Sequence, residues 1–204
     1  MLTIRYPFQD QEIEMIRDLL INHGTMVFPT ETFYALGCLA RSSEAVEKIY
    51  SLKQRAREAP LLVLIDSWEM LERYADDLTP VKKTILKQYW PGALTAVLKR
   101  KGDLAAALNH PDETLGFRMT SSSIARQLVG IVDTPLVGTS ANISAGESVA
   151  CFQQTHRIFG DRVDLYIDGG DTPGGLPSTV VDMTDEKHVR VLRDGSTVFN
   201  PIIS

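Results

Sequence analysis

The side chains of this chain that are equipped for chemistry are anion binders and small polar groups, not nucleophile–base sets. Lys53 and Arg55 stand two residues apart in KQR, at the end of a helical pattern and before Pro60-Leu61. A lysine point charge and a bidentate guanidinium converging from one loop suit a polyphosphate, although cations at a helix C-terminus also serve the macrodipole alone. Arg118 sits inside the apolar run LGFRM. An unpaired charge there is costly, so it must reach an edge or find an anion. Thr139-Ser140-Ala141-Asn142 places hydroxyls and an amide where the chain leaves an apolar run, groups that bind phosphate, sugar or base as readily as they make Ser and Asx turns. Pro29-Thr30-Glu31-Thr32 fills a loop between two apolar runs, and Trp90-Pro91-Gly92-Ala93-Leu94-Thr95 turns into another. Glycines at 169, 170, 174 and 175 bring backbone within reach of a ligand ahead of Pro177-Ser178-Thr179, and Arg193 and Gly195 follow the last apolar run. Each segment alone has an ordinary turn or packing explanation.

Other chemistries lack their signatures. There is no GxGxxG after a strand pattern, no P-loop and no GxSxG elbow. His23, His110, His156 and His188 are scattered, and Cys38 and Cys151 have no CxxC spacing, so neither a protein-held metal nor a redox pair is expected. The 204 residues, 44% apolar and 23% charged, fit one globular domain, and the net charge of -5 excludes a uniformly basic protein of the histone kind. No apolar stretch approaches the roughly 20 residues of a membrane span and no cationic leader opens the chain, so a cytoplasmic protein without membrane attachment is expected.

The elements that must position these residues alternate along the chain. Asp10, Glu12 and Glu14 cap and charge a helix ending near Gly24; Ser42 or Ser43 caps one reaching Leu52; Ser67 opens a third and Thr79-Pro80 a fourth; the 121–123 serines begin a fifth. Strand patterns cover 25–28, 33–40, 61–65, 94–99, 115–119 and 135–140, and three more follow at 164–168, 178–183 and 188–193, with little helix after about residue 160. This order predicts an α/β (α+β) domain with a twisted, mixed open sheet and flanking helices.

Taken in sequence, PTETFYALG, KQR…PL, WPGALT, FR, TSAN and PSTVVD…VLRDG resemble the YrdC-domain family of threonylcarbamoyl-AMP synthases over essentially the whole chain. The resemblance implies a YrdC-like fold with a concave basic ligand site, as one catalytic domain over residues 1–204 without the C-terminal domain of the long family form. It implies a nucleotidyltransferase, L-threonylcarbamoyladenylate synthase, joining L-threonine, bicarbonate or CO2, and ATP into threonylcarbamoyl-AMP and pyrophosphate for tRNA N6-threonylcarbamoyladenosine modification. Lys53 and Arg55 are then catalytic and ATP-binding, with Ser140, Asn142 and Arg193 also on ATP. Thr32, Arg118 and Ser178 surround L-threonine, Arg118 on its carboxylate. ATP enters as substrate with Mg2+ on its phosphates. The implied partners are a downstream tRNA threonylcarbamoyl transferase complex and a tRNA or double-stranded RNA contact. Ala56, Ala59 and Leu64 replace a proline, an asparagine and a histidine common in the family, and Ala35 and Ala93 replace a glycine and a proline. Two alternatives stand beside this reading. One is a non-catalytic RNA-binding module of the same fold, using Lys53, Arg55 and Arg57, then Lys82, Lys83 and Lys87, then Lys99, Arg100 and Lys101; the other is a paralogue acting on a different amino acid.

Overall fold

The computed structural model of the protein describes residues 2–108, 112–144 and 146–202, and His110 lies outside the described residues. Hydroxyl caps begin four helices where the residue pattern places them. Ser42 accepts from Ala45 N ahead of α2 (Ser43–Lys53), Ser67 from Met70 N ahead of α3 (Trp68–Tyr74), Thr79 from Lys82 N ahead of α4 (Pro80–Lys87) and Ser122 from Ala125 N ahead of α5 (Ser123–Val132). Each bond satisfies a backbone N–H that the helix cannot. The first helix, α1 (Asp10–Ile21), is capped one residue earlier than expected: Gln9 is the N-cap and its N–H donates to Glu12 Oε2 at 2.8 Å, so Asp10 contributes charge to the first turn. Helix α6 (Phe152–Phe159) has no counterpart among the expectations, because Cys151 at its N-cap makes no side-chain cap bond.

Two mixed sheets take the place of the single expected one. The five-stranded sheet runs β1 (Leu2–Arg5), β9 (Leu165–Asp168), β2 (Thr25–Pro29), β3 (Tyr34–Cys38), β8 (Thr139–Ser140). The six-stranded sheet runs β11 (Arg190–Arg193), β10 (Thr179–Asp182), β5 (Leu94–Lys99), β6 (Thr114–Met119), β4 (Leu62–Ile65), β7 (Leu136–Val137). β2 and β3 form an antiparallel hairpin from Thr25–Cys38 to Pro29–Tyr34, buried throughout. The stretch read as one strand over 135–140 is divided at Gly138: Val137 and Leu136 pair with Val63 and Leu64 in one sheet, Thr139 and Ser140 with Leu36 and Ala35 in the other. At this crossing β3 lies so close that a Cβ on Gly37 would sit 2.1 Å from the Val137 carbonyl oxygen. The interiors of both sheets and the inward faces of the helices share one hydrophobic cluster.

In the six-stranded sheet Asp182, Val97, Gly116 and Leu62 fall in one row across four strands, with Arg118 opposite Leu64 and Val180 opposite Thr95 beside it. Side chains alternate along a strand, so these positions share one face.

Candidate active site

That face floors a cavity of about 830 Å³, within the roughly 300–1,000 Å³ of small-molecule sites. Thr95, Val97, Gly116, Arg118, Leu62, Leu64, Val180 and Asp182 line the floor. Thr30 and Thr32 from the loop after β2, Thr139 and Ser140 from β8, and Arg55 from the turn after α2 contribute the opposite wall. Of the residues singled out in the sequence, Thr32, Arg55, Arg118, Ser140, Ser178 and Arg193 line this one cavity. They reach it from both sheets.

Lys53 and Asn142 are placed behind the wall. The Lys53 side chain is 1% exposed and donates to Ser140 O at 2.6 Å, Asn142 O at 2.8 Å and Asn142 Oδ1 at 3.1 Å. Asn142 in turn accepts from Ser140 Oγ at 2.5 Å and donates through Nδ2 to Gly146 O. Lys53 thus stitches the end of α2 to the TSAN loop with all three of its donors engaged. Burial first, and the neighbouring Arg55 second, push its pKa down to about 8.

Arg118, 5% exposed, resolves its place in an apolar strand through a partner the sequence reading did not single out. Its Nη2 lies 2.8 Å from Glu31 Oε1, its Nε 3.2 Å from the same oxygen, and Nη2 reaches Thr32 Oγ1 at 3.4 Å. Glu31 also accepts from the Thr120 hydroxyl and, at 3.2 Å, from Ser121 N. Burial on its own raises the Glu31 carboxyl, but Arg118 and the hydrogen bonds from Thr120 and Arg118 outweigh it and leave the pKa below the ordinary value. An acid in a loop between two apolar strands was the one signal for it.

Arg193 donates through Nη2 to Ser178 O at 2.7 Å and to Ser178 Oγ at 3.2 Å, and that hydroxyl lies 3.0 Å from Thr95 Oγ1. Burial, then repulsion from Arg118 and Arg55, pushes the Arg193 pKa below its ordinary value. Arg193 therefore feels the charges of both Arg118 and Arg55 across the cavity. Arg55 folds back on its own turn, with Nε donating to Ala59 O at 3.2 Å and Nη2 to Pro60 O at 2.9 Å. Lys99, Asp112 and the Arg190–Asp182 pair, 3.0 Å apart, also line the cavity. With Glu31 behind Arg118, the three guanidiniums and the hydroxyls around them make an anion receptor.

In the remaining basic runs three side chains meet an acid, Lys87 lies over the Trp68 ring and Lys99 lines the cavity. Lys82 meets Asp77 at 3.0 Å, Lys83 meets Glu72 at 2.5 Å, and Arg57 pairs with Glu47. Cys38 and Cys151 are free thiols, and among the described residues no cluster of three or more His, Cys, Asp or Glu side chains is assembled for a metal. No helix among the described residues is long and apolar enough to cross a membrane.

Comparison with known proteins places this cavity in context. The family model Sua5_yciO_yrdC, described as telomere recombination, matches residues 18–195. The chain is 31% identical to a threonylcarbamoyl-AMP synthase of Pyrococcus abyssi over 95% of this chain and 57% of that protein, and 35% identical to one of Bacillus subtilis over 91% and 54%. It therefore spans somewhat over half the length of these two relatives. A threonylcarbamoyl-AMP synthase of Psychromonas ingrahamii is 30% identical over 89% of this chain and 97% of its own length. The structure of P. abyssi Sua5 complexed with L-threonine superposes with a TM-score of 0.88 at 31% identity, covering 95% of this chain and 57% of that one. E. coli YciO superposes with a TM-score of 0.85 at 27% identity, covering 96% and 95%. The family match and the two superpositions extend over most of the sequence, and the chain belongs to the Sua5/YciO/YrdC family.

Proposed function

We propose that the protein is a cytoplasmic L-threonylcarbamoyladenylate synthase whose catalytic domain forms threonylcarbamoyl-AMP and pyrophosphate from L-threonine, bicarbonate or CO2, and ATP. The observation that carries this reading is the convergence of Arg55, Arg118 and Arg193 with Thr32, Ser140 and Ser178 on one cavity, in a family whose similar member from P. abyssi is a complex with L-threonine. The threonine carboxylate pairs with Arg118, beside the hydroxyls of Thr32 and Ser178. The polyphosphate of ATP lies toward Arg55, Ser140 and Arg193, with Lys53 and Asn142 holding the loop that presents Ser140.

The substrates supply both nucleophiles. The threonine amine, having released its ammonium proton to solvent, attacks the carbon of CO2, with a second N–H proton lost to solvent, or of bicarbonate, with loss of water, to form a carbamate. A carbamate oxygen then attacks the α-phosphorus of ATP, and the bond to the bridging oxygen of pyrophosphate breaks. The protein aligns the two reactants and neutralises charge that spreads over the phosphates, which is where guanidiniums act best. Mg2+ belongs to this reading as a companion of the ATP phosphates, since the described residues offer no cluster to hold it. The labile product passes to a tRNA threonylcarbamoyl transferase complex, with tRNA as the final acceptor.

Incubation with ATP, Mg2+, bicarbonate and labelled threonine is expected to release pyrophosphate only when threonine is present. Its absence under every condition would overturn the proposal. Leu64 on the cavity floor gives a specific reason to run the same assay with a panel of amino acids, because an apolar side chain there rewards a less polar substrate; a stronger response to another amino acid would identify the paralogue reading.

A further inference from the structure

Four arginines line the cavity, and two of them meet a carboxylate: the exposed Arg190 pairs with Asp182 at 3.0 Å, and the buried Arg118 with Glu31. Arg118 is paired to Glu31, whereas the partners of Arg55 are the Ala59 and Pro60 carbonyls and those of Arg193 are the carbonyl and hydroxyl of Ser178. Glu31 is anchored independently of Arg118 by the Thr120 hydroxyl and by Ser121 N, next to the N-terminus of α5, where a negative charge is favoured. It is not itself part of the cavity lining. Its carboxylate engages Nε and Nη2 of Arg118, fixing the plane in which the guanidinium meets the cavity. With both side chains at most 15% exposed, the pair interacts with little screening.

We infer that Glu31 is a positioning residue that sorts the two anions: by balancing Arg118 it reserves that guanidinium for the singly charged carboxylate of the amino acid and leaves the multiply charged phosphates to Arg55 and Arg193. The inference deepens the proposed reaction and rests on it. Attraction to a polyphosphate grows with the net charge of its receptor, so a neutralised Arg118 loses most of its pull on phosphate. A carboxylate still gains directed hydrogen bonds from an oriented guanidinium. Without Glu31, Arg118 joins Arg55 and Arg193 as a guanidinium held by neutral groups alone, and pyrophosphate competes for the amino-acid position.

The test is isothermal titration of the full chain with L-threonine and with inorganic pyrophosphate, each alone and each in the presence of the other. The wild type is expected to bind both at once, with little mutual effect. Glu31→Gln is expected to lose about tenfold or more in threonine affinity, to bind pyrophosphate more tightly, and to show competition between the two. A merely structural role would not create that competition. Threonine affinity held within about twofold and continued independent binding in Glu31→Gln overturn the inference alone. A wild type that binds neither ligand overturns the synthase reading, and the inference with it. Should Glu31→Gln not fold, Thr120→Val keeps both charges and removes one anchor; a smaller threonine loss in the same direction supports the inference, and unchanged affinity overturns it.

Discussion

Lys53 does its work from behind the cavity wall. Three donors on the Ser140 and Asn142 oxygens tie α2 to the loop carrying the site hydroxyl, so its removal disturbs ligand alignment and folding together. Lys53→Met keeps the volume and deletes those bonds. Turnover in the pyrophosphate assay is expected to fall roughly a hundredfold, about 3 kcal/mol of transition-state stabilisation. Unchanged turnover would remove Lys53 from the machinery. Its proton is also held less tightly in the folded protein, with a pKa of about 8, than in the unfolded chain near 10.5. Stability linked to this group is fully present above about 10.5 and is lost as pH falls through about 8. The unfolding free energy of wild type minus Lys53→Met should therefore rise between those values, by at most roughly 3 kcal/mol, in urea titrations at a series of pH values. A flat difference would mean that the lysine keeps an ordinary pKa.

At Gly195, as at Gly37 against Val137, elements meet in a backbone contact that leaves no room for a methyl group. A Cβ on Gly195 would lie 2.3 Å from Pro177 O and 2.5 Å from Thr179 N, where the segment after β11 runs against the start of β10. Ser196 N donates to Pro177 O at 2.8 Å in the same contact. Gly195→Ala must push apart two stretches of main chain beside Ser178 and Arg193, so a loss of about 1–3 kcal/mol is expected in thermal melts, with a raised KM for ATP. A melt and a KM like those of wild type would show that the contact relaxes freely. At α5 the Ser122 cap makes a milder case. Ser122→Ala removes the acceptor for Ala125 N and is expected to cost about 1 kcal/mol by chemical denaturation; no loss would mean that solvent replaces the cap.

At the scale of the whole molecule the site cavity lies between two sheets, and its ligands should brace both. Saturation with threonine and ATP at about 100 times their dissociation constants is expected to add about 2.7 kcal/mol each to unfolding. Differential scanning fluorimetry reads this as a higher Tm, and no shift with either ligand would speak against the cavity as the site. The contributing segments were legible in the sequence because each is local: a cap and the N–H it serves are three residues apart, as at Ser42 and Ala45 or Ser122 and Ala125, and Lys53 and Arg55 are two apart. The 135–140 stretch likewise reads as strand, but its division at Gly138 between two sheets depends on pairing with Leu64 and Ala35, far away along the chain. Helix α6 and the Gln9 cap escaped because neither carries a Ser, Thr, Asp or Asn cap. Residue types and their order thus specified the family resemblance, the cations of the site and most helix starts. Only the tertiary structure decided that there are two sheets, that Lys53 is buried under the Ser140 loop, and that Arg118 rather than Arg55 or Arg193 receives Glu31. Those outcomes rest on contacts such as Glu31 with Arg118, 87 residues apart, and Lys53 with Asn142, 89 apart, which no local pattern encodes and which form only when both sheets close around the same cavity.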